Sequence, residues 1–143
     1  MNNSTEDSPS FLGPHEGREL ELMLAGKKHL SKFVFEENAS DVFPLRELDK
    51  LVANGMLTKD ERSERHSLPH GDDVIIRNLL YATAAEAWRI PAMRAVEDIY
   101  QKLMPGWRPD LERIIGVLLG YDSEDVELFL EQLSKNKQTS YDP

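Results

Sequence analysis

Residues 61–73 read ERSERHSLPHGDD and hold His66, His70, Asp72 and Asp73 within eight positions. Imidazole and carboxylate together suit zinc, manganese or iron, and the same groups serve a small metal-dependent or acid/base hydrolase. Two histidines four apart would share one face of a helix. Pro69 lies between them, however, and a proline inside a helix removes a backbone donor and clashes with the preceding turn. The spacing therefore has no helical meaning. The stretch reads as a polar loop from Asp60 to Gly71, whose chemistry would depend on loop geometry and on partners from elsewhere in the chain.

His15 and Glu16 form a second candidate acid/base pair, since a neighbouring acid tunes an imidazole. Adjacent helical residues point about 100° apart and do not face one another. Glu16 is equally explained as a first-turn carboxylate that favours the helix dipole. No G-x-S-x-G elbow, P-loop or dinucleotide fingerprint occurs, and the eight glycines are scattered. Nucleotide chemistry and serine catalysis thus have no support. The chain has no cysteine, which removes disulfides, thiol nucleophiles and thiolate metal sites. No cofactor is expected.

The formal charge of −9 is concentrated near the C-terminus, where Glu124, Asp125, Glu127 and Glu131 fall within eight residues. These four are the expected partner-binding residues, complementary to another protein with a basic surface. Binding to nucleic acid is disfavoured because no cluster of Lys and Arg is present to neutralise phosphates. LERIIGVLLGYDSEDVELFLEQL has the spacing of a helix-turn-helix, but its second helix would bring carboxylates toward phosphates. Trp88 and Trp107 are expected to plug the core.

These residues must be carried by a scaffold that 143 residues are enough to build. Leu20, Met23 and Leu24 mark a helix over 14–25, with Pro14 suited to its first turn. Phe33 and Phe35 alternate with Lys32 and Glu36, which predicts a strand in HLSKFVFEE. A second helix opens at Pro44 and closes at Asn54-Gly55, with Met56 placed for the contact that accompanies a glycine cap. MLTK predicts a short strand, and in VIIRNLLYAT Val74, Ile75 and Ile76 favour another, while Leu79, Leu80 and the alanines behind them also permit a helix. Thr83 to Glu86 matches a capping box, followed by a short helix or by a strand in EAWRI.

From Pro91 the apolar stripe of Met93, Val96, Ile99, Tyr100 and Leu103 predicts a helix, which Pro105 and Gly106 end. A further helix starts at Pro109, with Leu111, Ile114, Ile115, Leu118 and Leu119 on one face, and ends at Gly120. The last is capped by Asp122 and buries Val126, Phe129, Leu130 and Leu133.

The expected fold class is α+β, a small antiparallel sheet packed with helices, with a helical C-terminal third ending in an αα-hairpin. Residues 1–12 are read as a flexible lead-in, 13–134 as one domain and 135–143 as a flexible tail. No run of about 20 apolar residues suggests a membrane span, and no signal peptide is recognised, so a cytoplasmic location is expected. The leading functional expectation is a non-catalytic regulator, inhibitor or adaptor that acts by binding another protein. The alternative is the hydrolase built on His66, His70, Asp72 and Asp73. Oligomeric state is not legible in the sequence.

Overall fold

A computed structural model describes residues 15–39, 42–103, 106 and 108–141, with side chains described as far as Lys135. The expected lead-in at 1–12, Pro14, Pro105 and Trp107 lie outside the described residues. In chain order the elements are α1 (Glu19–Leu24), β1 (Leu30–Glu36), α2 (Leu45–Ala53), β2 (Leu57–Ser67), β3 (Asp73–Thr83), α3 (Arg89–Lys102), α4 (Pro109–Leu119) and α5 (Ser123–Tyr141). The fold is α+β.

The sheet is antiparallel throughout, in the order β1-β3-β2. Period-two alternation along β3 sends Leu80 and Ala82 to one face and Leu79 and Tyr81 to the other. Leu80 and Ala82, with Leu30, pack against Met93 and Val96 of α3 and Leu111 and Leu118 of α4. Leu79 and Tyr81, with Leu57, pack against Met23 of α1 and Leu48 of α2. The central strand is thus covered on both faces, which explains its nearly continuous apolar run. Phe33 and Phe35 of β1 join the second cluster as the alternation predicts.

The largest departure from expectation is β2. It extends over eleven residues, so most of the predicted polar loop is a strand. Its distal part is exposed and charged because, among the described residues, β2 is an edge strand paired with β3 alone. Charged side chains on an edge oppose pairing with other chains. Pairing is reinforced diagonally across the ladder, where Arg77 donates to both oxygens of Glu61 at 2.7 and 3.0 Å and Arg65 lies 3.4 Å from Asp73. Pro69 has the opposite role to a helix breaker here. Leu68-Pro69-His70-Gly71 closes a turn in which Gly71 N–H donates to Leu68 C=O at 2.9 Å, and Gly71 adopts φ +98.

Helix boundaries differ in smaller ways. The first helix begins at Glu19, because His15 to Arg18 form a turn closed by Arg18 N–H on His15 C=O. Gly55 ends α2 in a Schellman motif, with Met56 N–H on Leu51 C=O, while the Met56 side chain stays about half exposed. The predicted capping box does not form. Ala84–Glu86 is a single 3₁₀ turn, and the Thr83 hydroxyl meets His29 Nδ1 at 3.1 Å instead. EAWRI is no strand, since α3 begins at Arg89 and takes Pro91 into its first turn. Ile99, Leu103 and Ile114 are exposed, so only part of each predicted stripe faces the core. The final helix continues to Tyr141 through the segment expected to be a loose tail.

Candidate functional site

The polar hairpin carries the first set of candidates. His66, on β2, lies 3.2 Å from Glu64, while His70, in the turn, lies 3.4 Å from Asp72. Asp73 accepts from Ser67 Oγ at 3.0 Å and pairs with Arg65. The two histidines therefore have separate carboxylate neighbours, and each pair is exposed. Among the described residues, no group of three or more His, Asp or Glu side chains is arranged to hold a metal ion. The expected hydrolase set is distributed along a hairpin end instead of converging on a cleft.

His15 belongs to a different constellation from the one its neighbour suggests. Its Nδ1 is 2.8 Å from Nζ of Lys28, and its ring meets Tyr121 edge-on at 4.5 Å between centroids. Glu16 is exposed. Lys28 is only 2% exposed, and its Nζ stands 5.0 Å from the Tyr121 ring centroid. Burial, with Lys28 and Arg18 nearby, pushes the His15 pKa down to about 4. Burial likewise pushes Lys28 down to about 7 despite the attraction of Glu19, and Tyr121 up to about 12.

A lysine that titrates near neutrality is chemically a base or a nucleophile. Its contacts assign this one another task. Lys28 donates to the C=O of Leu119, the last residue of α4. Arg89 donates to the C=O groups of Val117 and Leu118 at 3.2 and 3.0 Å. Gly120 and Tyr121 N–H groups bond Val117 and Gly116 C=O, with Gly120 in the left-handed region. All four terminal carbonyls of α4 are thus satisfied, and two cations stand at its negative end. The enclosed ammonium is a helix cap tying the segment before β1 to the α4–α5 connection.

A second buried cation fixes the sheet to α3. Arg94 donates from Nε to Asp60 Oδ2 at 2.7 Å, from Nη1 to Asn78 Oδ1 and Glu97 Oε1 at 2.9 Å, and from Nη2 to the C=O groups of Asn78 and Asp60 at 2.9 and 3.2 Å. Five donors meet five acceptors, the full capacity of a guanidinium. Lys32 reaches the other Glu97 oxygen at 2.8 Å. Sequence reasoning missed both cations. Arg94 had a signal, since it falls inside the arc defined by Ile90, Met93 and Glu97. Lys28 sits in a connection without periodicity and had none.

The acidic C-terminal set is borne by the α4–α5 hairpin. The helices approach closely at Gly116, where an added Cβ would lie 2.5 Å from Val126 Cγ2. Val126 and Leu130 face inward, while Glu124, Glu127 and Glu131 are exposed and Asp125 is half-buried. Arg113 of α4 bridges to both oxygens of Glu127 at 2.7 and 3.1 Å, so the outer faces of the two helices are linked. Those faces also carry apolar side chains: Ile114 is 45% exposed, Val117 65% and Leu128 50%. Trp88 is no core plug. It is exposed beside the C-terminal end of α4, with Arg89 4.9 Å from its ring and its indole N–H on Glu86 at 3.2 Å.

Comparisons with known proteins return no family model, no curated protein and no solved structure that matches this chain. No helix of the described residues is long and apolar enough to cross a membrane.

Proposed function

We propose that this chain is a non-catalytic regulator, inhibitor or adaptor that binds another protein through the outer face of the α4–α5 hairpin. The observation that carries this reading is the exposure of Ile114, Val117 and Leu128 on two bridged helices that also present Glu124, Glu127 and Glu131. Exposed apolar anchors with a charged surround have the composition of an interface whose centre excludes water and whose rim selects the partner. Asp125 contributes charge from the flank. The complementary surface is basic at its rim and apolar at its centre, and the charges act chiefly on association rate and partner choice.

The test is affinity capture from the native lysate with the intact chain, compared with a Val117→Ser, Leu128→Ser double variant and a Glu124→Lys, Glu127→Lys, Glu131→Lys triple variant. The expected result is one partner retained by the parent chain, lost with the serine variant and associating more slowly with the charge-reversed one. A partner retained equally by all three would overturn the assignment of this face. A purified chain carrying stoichiometric metal bound at His66 and His70, with hydrolytic activity, would overturn the non-catalytic reading itself.

A further inference from the structure

The two edges of the sheet are built differently. β2 carries an unbroken polar run from Lys59 to Ser67, which opposes further pairing. β1 reads LSKFVFE, with Phe33, Val34 and Phe35 consecutive, and Val34 is 55% exposed. Leu30 is buried against α4, so the open part of this edge runs from Lys32 to Glu36. At the two ends of the β1–β3 ladder, Glu37 N–H donates to Ile75 C=O at 2.8 Å and Thr83 N–H to His29 C=O at 3.2 Å. Bonded and non-bonded residues alternate along an antiparallel ladder. The odd-numbered residues of β1 therefore bond β3, and Lys32, Val34 and Glu36 turn their backbone groups outward.

Among the described residues, no hydrogen bond reaches the outward amides and carbonyls of Lys32 and Val34, while Glu36 C=O accepts Ala39 N–H at 2.9 Å. Such an edge is completed by one more antiparallel strand. Pairing of β1 with its own copy satisfies the outward groups when Val34 lies opposite Val34 and Lys32 opposite Glu36. In that register Phe33 also lies opposite Phe35, so each of these cross-strand pairs is either opposite in charge or apolar on both sides. The alternative two-fold register, centred on Phe33, sets Leu30 against Glu36 and Lys32 against Val34 and leaves both charges without a counterpart. Within its own chain Lys32 holds Glu97, which also accepts from Asn78 and so stands on the β3 side. Glu36 is exposed, and from the copy it approaches the same ammonium from the free side.

We propose that the Lys32–Glu36 edge of β1 is a homodimerisation site, where a second copy of this chain pairs antiparallel about a two-fold axis at Val34 and joins the two sheets into one. The occupant is a second copy because β1 is its own complement in this register, in charge, in apolar pairing and in the parity of its backbone groups. The strip is short and the surface it buries is at the small end of specific interfaces, so the dimer is reversible and depends on concentration. The dimer carries two copies of the α4–α5 face, and neither surface depends on the other.

The chain has no cysteine, so a single Val34→Cys substitution reports this geometry directly. Directly opposed bonded residues have Cα atoms about 5.5 Å apart, within reach of a disulfide. Glu36→Cys is the control, since that exposed position faces Lys32 of the copy and not itself. Under mild oxidation Val34→Cys is expected to form the covalent dimer at least about tenfold faster than Glu36→Cys. Sedimentation of the unmodified chain is expected to show a mass that rises with concentration toward that of two chains. Val34→Lys, which sets like charges across the axis, is expected to weaken association by at least about tenfold with unchanged circular dichroism. Glu36→Lys acts in the same direction. A single-chain mass at all concentrations up to about 1 mM would overturn the proposal. So would equal crosslinking of the two cysteine variants, or association unaltered by both lysine variants. Hydrogen-exchange protection of the Val34 amide that does not vary with concentration would assign the edge to another segment of the same chain, and would equally overturn it.

Discussion

Arg94 and Lys28 are both cations withdrawn from water, yet the fold accommodates them in opposite ways. Arg94 meets two carboxylates, a side-chain amide and two backbone carbonyls, so every donor has an acceptor. Lys28 meets a neutral imidazole, one helix-end carbonyl and the face of a tyrosine, with no carboxylate of the described residues in contact. Burial penalises the charged form of Lys28, and the more distant attraction of Glu19 does not offset it. Its pKa therefore falls to about 7. The comparison teaches that a guanidinium is buried as a fixed strut when every donor meets an acceptor, whereas a buried ammonium, an intrinsically weaker base, titrates where no carboxylate touches it.

The largest effect that would sharpen this contrast is removal of the fully paired cation. Arg94→Ala leaves Asp60, Glu97 and Asn78 facing a cavity, and is expected to cost roughly 3 kcal/mol or more in urea unfolding. Arg94→Lys is expected to recover only part of that loss, because an ammonium cannot reproduce the planar fork. Full recovery by lysine would break the distinction between the two sites.

Lys28 gives the next effect, read along pH. Its folded pKa of about 7 lies below the unfolded value of 10.5, so between those values the unfolded chain binds the extra proton. Stability contributed by this group therefore rises with pH across that window, by about 1 kcal/mol per unit at its steepest. Lys28→Met is expected to flatten the curve above pH 7 and to be no less stable than the parent chain near pH 6, since it exchanges a buried charge for an apolar chain of similar shape. A curve of unchanged slope in the variant would show that Lys28 stays charged. His15 acts in the same sense at lower pH. Its folded value of about 4 lies below 6.5, so its contribution is lost as pH falls from about 6.5 to 4, and His15→Phe removes that part of the acid sensitivity.

A smaller effect separates the two sites mechanically. Gly116→Ala places a methyl against Val126 and is expected to cost about 1 kcal/mol by crowding, net of the gain in helix propensity. It displaces the α4–α5 packing next to Leu119 and Tyr121, so it should move the Lys28 titration measured by NMR while leaving the hydrogen bonds of Arg94 in place. The least effect on stability is expected from Arg113→Gln. Its exposed bridge to Glu127 leaves the unfolding midpoint unchanged and alters only the outer face.

Local pattern made most elements legible. Phe33 and Phe35 announced β1, Val74 to Ile76 favoured β3 although Leu79 and Leu80 also permitted a helix, and Pro109 and Gly120 bracketed α4. Residues 60–67 were not legible as a strand, because an edge strand beyond the helical cover has no buried stripe to impose alternation, and its ladder is formed with β3. The LPHG turn was present in the sequence but was read against a helix, where proline breaks, and not against a hairpin, where it fits. The candidate site was legible in part. The acids of α5 were visible as a charge run, whereas the exposure of Ile114, Val117 and Leu128 and the linkage of Arg113 to Glu127 required the helices to be packed.

Composition and spacing by themselves determined the α+β class, the absence of thiol chemistry, the amphipathic helices and the acidic character of the C-terminal third. Each rests on residue type or on a period of two or 3.6, which neighbours along the chain enforce. Tertiary structure alone decided that His15 belongs with Lys28 and Tyr121 and that Arg94 joins Asp60 and Asn78. Those groups are drawn together from separate elements by the burial of the two sheet faces. No local rule carries that information, because the free energy that assembles them comes from apolar surface elsewhere in the chain.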